Sequence, residues 1–192
     1  MKKHVISLAM LMSFLLAVSF LSISAASAAE MPKELQAIAD KAKNAAGDCA
    51  QQLTGAWGDQ HVALIASKKK GDFADYKSMQ TALSGLLAKS GAVHIYVLSP
   101  SGAFDKDPFF ITVDGSAEPD DYGTEYKWEA GFASAWSGMS NAADMVSKDD
   151  KGKLQLSAYS PIRDTKGDVV AILGLDYPAP EAAKFPDWIE KE

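Results

Sequence analysis

The sequence has 192 residues, a formal net charge of -6 and 47% hydrophobic residues. Because phosphate contacts need a basic patch, this acidic balance argues against nucleic acid as a partner and against anionic membrane surfaces. Cys49 is the single cysteine, so an internal disulfide is excluded and packing must stabilise the fold. We expect Cys49 to lie inside a helix as a small hydrophobic residue.

The N-terminus has the three parts of a secretory signal. A basic Met-Lys-Lys start precedes an apolar run over residues 5–23, and small residues fill positions 25–29. We expect residues 1–29 to be a signal peptide that is cleaved after Ala28 or Ala29. An uncleaved anchor is the alternative, since the apolar run is long enough to span a bilayer. Loss of the two leader lysines changes the net charge from -6 to -8.

The next segment has the apolar spacing of a helix. Apolar residues recur at three- and four-residue steps over residues 32–55, and we assign residues 30–70 to one long N-terminal helix. Gly55 and Gly58 are positions where this helix could be interrupted. A second helix is predicted over residues 75–89, ended by a glycine.

A hairpin with two unlike faces is predicted over residues 154–180, with its turn at residues 164–167. The strand period of two places apolar residues on one face: Leu154, Leu156, Ala158, Ala171, Leu173 and Leu175. The other face carries Gln155, Ser157, Tyr159, Ile172, Gly174 and Asp176. A face with two hydroxyls, a carboxylate and a missing side chain is typical of a cavity wall rather than of a solvated surface.

An earlier hairpin repeats this division with strands at residues 93–98 and 109–113. One expected face holds Val93, Ile95, Val97, Phe109, Ile111 and Val113. The other holds His94, Tyr96, Phe110, Thr112 and Asp114. The link between these strands is longer, so their register stays open.

Two helices, two hairpins and an irregular insertion at residues 116–147 indicate the α+β class. We predict an antiparallel sheet of about five strands, with the long helix packed on its apolar face. The insertion, including a short helix near residues 128–136, would cover the other face. Residues 181–192 would form a C-terminal tail, and one domain is expected in all.

Four motifs occur in a characteristic order: HIYVLSPSG from His94, then FFITVDG, YGTEY and SAYSPIRDTKGDVVAILGLDY. This series resembles the extracellular Cache family of PAS-like sensory domains, which occur in bacterial chemoreceptors, histidine kinases and diguanylate cyclases. The segment PIRDTKGDVVAILGLD is the most specific part. The resemblance implies a Cache core at residues 71–180, binding a small metabolite on the sheet face away from the long helix.

The resemblance also implies roles for particular residues. Tyr159 and Asp176 match positions that hold the ligand ammonium in amino-acid-binding members of the family. Those members present an arginine and a tryptophan to the ligand carboxylate, whereas here Tyr126, Lys127 and Trp128 lie in that vicinity without an arginine. The ligand class therefore stays open between amino acid, amine and organic acid.

The combined reading predicts eight ligand-binding residues: Tyr96, Thr112, Asp114, Tyr126, Trp128, Ser157, Tyr159 and Asp176. Each has an ordinary structural alternative. Asp176 could accept backbone N–H groups at a strand end, Tyr159 and the other aromatic residues could be plain core, and Asp114 could belong to a turn.

No catalytic, metal-binding or cofactor-binding motif is recognisable. We expect a non-enzymatic, periplasmic or extracellular sensory protein. It would bind a small organic ligand and act through a separate partner, such as a membrane receptor or kinase, because no second span or output module occurs in the sequence. The alternative is a structural or protein-interaction module with a filled, non-binding pocket.

Overall fold

The structure is a computed structural model that describes residues 30–67, 73–102, 104 and 108–191. The predicted signal peptide, residues 1–29, lies outside the described residues, as do residues 68–72. Within the described part of the chain, no helix combines the length and the hydropathy that a membrane span requires.

The segment predicted as one long helix, with a possible interruption at Gly55 or Gly58, forms two helices within the described residues. The helix breaks at Thr54 and Gly55, where Gly55 takes a φ of 91°, a left-handed conformation that glycine adopts without steric cost. Gly58, the other expected break, lies inside the second helix. The predicted helix over residues 75–89 is confirmed to within one residue. The bounds are Lys33–Leu53 (α1), Ala56–Ser67 (α2), Tyr76–Ser90 (α3) and Ala130–Trp136 (α4).

The strands of the described residues all belong to one sheet in which every neighbouring pair is antiparallel, which confirms the predicted α+β class. Four of these strands have six to ten residues and three have only two, where we expected about five strands. The strands are His94–Pro100 (β1), Phe109–Asp114 (β2), Glu125–Tyr126 (β3), Asn141–Ala142 (β4), Ser147–Lys148 (β5), Leu154–Arg163 (β6) and Val169–Pro178 (β7). The spatial order is β3-β2-β1-β7-β6-β4, and β5 also pairs with β6. Two 3-10 turns, Pro180–Lys184 and Pro186–Trp188, follow β7.

The main core lies between the helices and one face of the sheet. Helix α1 packs on β6 and β7 through a stripe of small residues that includes Ala39, Ala42 and Ala46. Small side chains let a helix approach a sheet closely at interior packing density. Cys49 belongs to this buried stripe, which confirms its predicted place in a helix.

The second hairpin confirms the predicted faces. Leu156, Ala158, Leu173 and Leu175 are buried against the helices, whereas Ser157 pairs with Asp176 on the opposite face. The pairing is centred one residue later than expected, and a register shift follows Ile162. Moving the centre of the hairpin by one whole residue still pairs even-numbered residues with odd-numbered ones. Each side chain therefore stays on the face that was predicted for it.

The first hairpin differs from the prediction because β2 contains a bulge. Val97 pairs with Val113, but Leu98 pairs with Ile111, so Thr112 is an extra residue. Phe109 and Ile111 therefore lie on the face away from the helices, not beside Val113 as expected.

Candidate functional site

Aromatic side chains cover much of the sheet face that lies away from helices α1, α2 and α3. The ring of Phe132, on α4, lies 4.9 Å from the ring of Tyr159 and 4.9 Å from that of Phe109, measured between centroids. Tyr126 lies 5.9 Å from Phe132 in the same way. The predicted cavity floor is therefore filled over its middle part, as the structural alternative expected for these aromatic residues.

Gly174 lies on this face and makes room for a ring. A Cβ atom at this position would overlap the ring of Tyr96, which lies across the neighbouring strand. The space left by the absent side chain of Gly174 is thus occupied by the Tyr96 ring from β1. Its effect is to let Tyr96 lie flat against the sheet and point its hydroxyl toward Asp176.

An open cleft remains at one end of this face, with a volume of about 500 Å³. It lies between the ends of β1, β6 and β7, the loop after β2 and the loop between β5 and β6. We call it the Asp176 cleft. Its lining includes His94, Tyr96, Asp114, Asp120, Tyr126, Lys151, Lys153, Gln155 and Asp176.

Asp176 is the buried charge of this cleft, with 5% of its surface exposed. Its Oδ1 accepts hydrogen bonds from Ser157 Oγ at 2.8 Å and from the Tyr96 hydroxyl at 3.1 Å, and its Oδ2 accepts one from Gln155 Nε2 at 3.4 Å. All three donors are neutral side chains, so the alternative of a carboxylate serving backbone N–H groups is wrong.

Burial raises the pKa of Asp176 above its ordinary value, although the hydrogen bonds from Ser157 and Tyr96 oppose the shift. No lysine, arginine or histidine nitrogen of the described residues lies within ion-pair distance of it. A buried carboxylate whose hydrogen-bond donors are all neutral favours a cation in the cleft.

Two stacked tyrosines extend the site from Asp176. The hydroxyls of Tyr96 and Tyr126 are 2.7 Å apart, and their ring centroids are 5.2 Å apart. Burial, and next the Asp176 charge, raises the pKa of both tyrosines, so both remain neutral. The two rings give the cleft an apolar wall that can also contact a cation through its π faces.

Asp114 lines the same cleft, but both of its carboxylate oxygens are hydrogen-bonded to the loop that follows it. Its Oδ1 accepts the Ser116 N–H at 2.7 Å, and its Oδ2 accepts the Asp120 N–H at 2.8 Å. These bonds agree with the alternative of a turn residue. Asp114 therefore lines the cleft while its side chain holds the loop in position.

Thr112 is not brought to the cleft, although it was predicted as a ligand residue. The bulge turns it toward α2, where its Oγ1 lies 2.9 Å from His61 Nε2 and donates to the Val97 carbonyl at 3.0 Å. Because the Thr112 hydrogen is used on Val97, His61 Nε2 must be the donor to Thr112. Burial lowers the pKa of His61 to about 4.

Tyr159 and Trp128 also lie outside the Asp176 cleft. Tyr159 is fully buried beneath α4, and its hydroxyl lies close to Tyr126 and Glu129. Trp128 is 51% exposed and borders a second cleft of about 390 Å³. Glu129 and Asn141 line that cleft too, and we call it the Glu129 cleft.

The sequence reasoning missed several residues of these clefts. Gln155 was placed on the correct face by the strand period but was not included among the ligand residues. Lys151 belongs to the loop between β5 and β6, and it forms an exposed ion pair with Glu118 at 2.9 Å across the cleft rim. No periodic pattern in the sequence could have shown that the loop of Lys151 and the loop of Glu118 lie next to each other.

The charges of the Asp176 cleft are predominantly negative. Its lining carries six acidic side chains and three lysines, and the chain's single arginine, Arg163, donates instead to the Gly167 carbonyl at 2.9 Å in the hairpin turn. Across the described ranges, no group of three or more His, Cys, Asp or Glu side chains is arranged to hold a metal ion.

No family model and no curated protein matches the sequence. Solved structures similar to the chain include a methyl-accepting chemotaxis protein X, with 16% identity and a TM-score of 0.39, covering 82% of this chain and 64% of that one. The ligand-binding domain of the Campylobacter jejuni chemoreceptor Tlp3, in complex with 4-methylisoleucine, has 15% identity and a TM-score of 0.41 over 76% of this chain and 59% of that one.

The periplasmic sensory domain of the Campylobacter jejuni chemoreceptor Tlp1 is also similar, with 10% identity and a TM-score of 0.39 over 83% of this chain and 68% of that one. The chain thus spans less than two thirds of the length of the first two of these structures. At such identities and TM-scores, the likeness assigns no ligand to this chain.

Proposed function

We propose that the protein is an exported binding module of the sensory type. It takes up a small organic ligand through a protonated amine in the Asp176 cleft and acts through a separate partner. The observation that carries this proposal is the buried Asp176 carboxylate, which faces the cleft and receives its hydrogen bonds from three neutral side-chain donors.

An amine suits this carboxylate for electrostatic reasons. An ion pair is stronger in a partly buried site than in water, and a buried carboxylate without a countercharge is costly. A ligand ammonium would offset that cost. The Tyr96 and Tyr126 rings beside Asp176 would contact the cation or the carbon atoms next to it.

An organic acid without an amine suits the cleft poorly. The lining has an excess of acidic side chains, and Arg163 is held in the hairpin turn rather than at the cleft. Bidentate recognition of a ligand carboxylate is usually the work of arginine. The lysines of the rim, Lys151 and Lys153, are the cations that an amino-acid carboxylate would meet.

Export and signalling complete the proposal. The basic start, apolar run and small residues of positions 1–29 support secretion to the periplasm or the extracellular space, with a membrane-anchored form if the signal stays uncleaved. The Cache-like motifs support transmission through a membrane receptor or kinase as the partner.

A second candidate is the interaction module with a filled pocket. The packing of Phe132, Tyr159 and Tyr96 over the middle of the sheet face favours it. This candidate predicts that no small molecule stabilises the protein, and that a partner binds the ligand-free form.

Thermal-shift screening of the purified protein against amines, amino acids and organic acids tests the proposal. We expect amines to raise the melting temperature, and Asp176→Asn to abolish the shift. Asp168→Asn is the matched control, since Asp168 is exposed in the turn of the same hairpin. Stabilisation by an amine that is unchanged in Asp176→Asn would exclude the site, and no stabilisation by any compound would favour the interaction module.

A further inference from the structure

The two carboxylate oxygens of Asp176 differ in how far their hydrogen-bonding capacity is used. Oδ1 accepts from Ser157 Oγ at 2.8 Å and from the Tyr96 hydroxyl at 3.1 Å, which occupies both of its lone pairs. Among the described residues, Oδ2 accepts a single bond, from Gln155 Nε2, and its length of 3.4 Å lies beyond the usual range for an N–H···O bond. Oδ2 is therefore the oxygen that can accept a further donor from the cleft.

The amide of Gln155 has one orientation that suits its contact with Asp176. An ionised carboxylate only accepts hydrogen bonds, so the amide must present its NH₂ group to Asp176 and direct its oxygen elsewhere. That oxygen, Oε1, is shielded from solvent and has no hydrogen-bond partner among the described residues. A buried amide oxygen without a donor is costly, because it has given up its bonds to water. Gln155 Oε1 is thus suited to a donor that a ligand supplies.

Gln155 Oε1 and Asp176 Oδ2 lie near enough for one nitrogen atom to bridge them. Because the N and O atoms of an amide are about 2.2 Å apart, Oε1 lies within about 5.6 Å of Oδ2. A nitrogen that donates to two oxygens at ordinary bond lengths spans up to about 6 Å between them. Both side chains line the Asp176 cleft from the neighbouring strands β6 and β7. The last torsion of a glutamine side chain has a broad energy profile, so the amide can turn Oε1 toward a bound donor.

We propose, building on the amine function proposed above, that Gln155 determines which amines the Asp176 cleft accepts. The ligand ammonium donates one N–H to Asp176 Oδ2 and a second N–H to Gln155 Oε1. Its carbon chain lies against the rings of Tyr96 and Tyr126, which border the same cleft. The site therefore selects primary and secondary amines, whose cationic nitrogen carries at least two N–H groups.

More highly substituted ammonium ions fit this pair of oxygens less well. A quaternary ammonium has no N–H group, so it would leave Gln155 Oε1 without a donor and bring methyl groups against Asp176 Oδ2. Tyr96 and Tyr126 stack on each other rather than enclose a cation, so their π faces offer such an ion little compensation. A water molecule is the other group that could bond to Oε1, and it would make Gln155 indifferent to substitution of the amine.

Calorimetric titration of four related amines into the wild-type protein tests the proposal. The probes are butylamine, N-methylbutylamine, N,N-dimethylbutylamine and butyltrimethylammonium, whose cations carry three, two, one and no N–H groups. We expect the largest rise in Kd, roughly tenfold, at the step from two N–H groups to one, where the second hydrogen bond is lost. The step from three to two should be small.

Gln155→Met separates the amide oxygen from the bulk of the side chain, because methionine has a similar length and no amide. This variant should bind butylamine roughly tenfold more weakly, and its largest step should move to the loss of the last N–H group. Gln51→Met, an exposed change on α1, is the matched control and should leave all four affinities as they are in the wild type. Asp176→Asn should remove binding of the whole series.

The possible failures distinguish this inference from the amine function. A Kd that does not rise most at the step from two N–H groups to one would overturn the role of Gln155 from the wild type alone, even if Gln155→Met does not fold. Equal affinity of butylamine for the wild type and Gln155→Met would overturn it too, and would show that Oε1 bonds only to water. Either result leaves amine binding at Asp176 intact. Absence of binding by every probe, or equal binding in Asp176→Asn, would overturn both proposals.

Discussion

At the scale of a single residue, Asp176 connects stability to the proposed binding of an amine. Its raised pKa means that the ionised form is disfavoured in the folded, ligand-free protein, chiefly by burial. This group therefore contributes most to stability below its ordinary pKa of 3.8, and the contribution is lost as the pH rises through the folded-state value. A bound cation would favour the ionised carboxylate and so offset the loss of stability that ionisation of Asp176 causes.

Asp176→Asn should consequently become more favourable to stability as the pH rises. We expect the difference in unfolding free energy, variant minus wild type, to increase between about pH 4 and about pH 7, because only the wild type must ionise a buried group. Urea unfolding at both pH values measures it, with Asp168→Asn as the exposed control. A difference that decreases toward neutral pH would contradict the assignment.

Gly174 is required by the ring that lies over it. Gly174→Ala should lower the unfolding free energy by about 1–3 kcal/mol, because the added methyl group overlaps the Tyr96 ring. Gly85→Ala is the control: Gly85 lies in α3 with no neighbouring atom near the added carbon, and its replacement should stabilise by about 0.5–1 kcal/mol. Denaturant unfolding compares them, and equal effects of the two changes would show that Tyr96 does not pack on Gly174.

Residues of the last two strands could be predicted from sequence because a strand alternates its faces regardless of small shifts in register. Ser157 and Asp176 reach the same face whether the hairpin is centred at one residue or the next. Thr112 could not be placed, since one extra residue in β2 reverses the orientation of everything before it. Tyr159 was assigned to the correct face, but the covering by Phe132 depends on a distant helix.

At the scale of elements, α2 and the bulge of β2 depend on each other. The bulge points Thr112 at His61, and α2 brings His61 into the core only because the chain breaks at Gly55. Trp57 stacks on His61 within the same helix, with ring centroids 5.8 Å apart. The hydrogen bond between His61 and Thr112 joins α2 to the sheet at the bulge of β2.

His61 should make the protein sensitive to acid. Its folded-state pKa of about 4 lies below the ordinary 6.5, so its contribution to stability is present above 6.5 and is lost as the pH falls toward 4. Compared with His61→Gln, which keeps a donor for Thr112, the wild type should lose about 3 kcal/mol over that interval. Urea unfolding across the interval measures the difference between the two proteins, and parallel profiles would contradict a buried neutral histidine.

Thr112→Val separates the packing role of the bulge from the ligand site. Loss of the acceptor for His61 Nε2–H should cost about 1–3 kcal/mol of unfolding free energy. Amine affinity should not change, because Thr112 faces α2 and not the cleft. Tyr96→Phe is the comparison, since it removes a hydrogen bond to Asp176 and should weaken the amine. Calorimetry measures the amine affinity of both variants, and denaturant unfolding measures their stability. Loss of amine affinity in Thr112→Val would show that Thr112 belongs to the ligand site after all.

At the scale of the whole molecule, the sheet separates a face packed against helices α1 to α3 from the face on which we propose that a ligand binds. Helices α1, α2 and α3 pack on one face, while the other is covered over its middle by aromatic rings, including Phe132 of α4, and has the Asp176 cleft at one end. The fold class was predictable because two hairpins and two amphipathic helices admit few arrangements. The place of the cleft was not, because it depends on loops that close over the strand ends.

Calorimetric titration of butylamine into wild type, Asp176→Asn and Asp168→Asn decides whether this end of the sheet binds amines. The wild type and Asp168→Asn should bind at neutral pH, with an affinity that falls on acidification as Asp176 takes up a proton, whereas Asp176→Asn should show no binding. Binding of equal strength in all three proteins, or an affinity that rises on acidification, would contradict the role of Asp176.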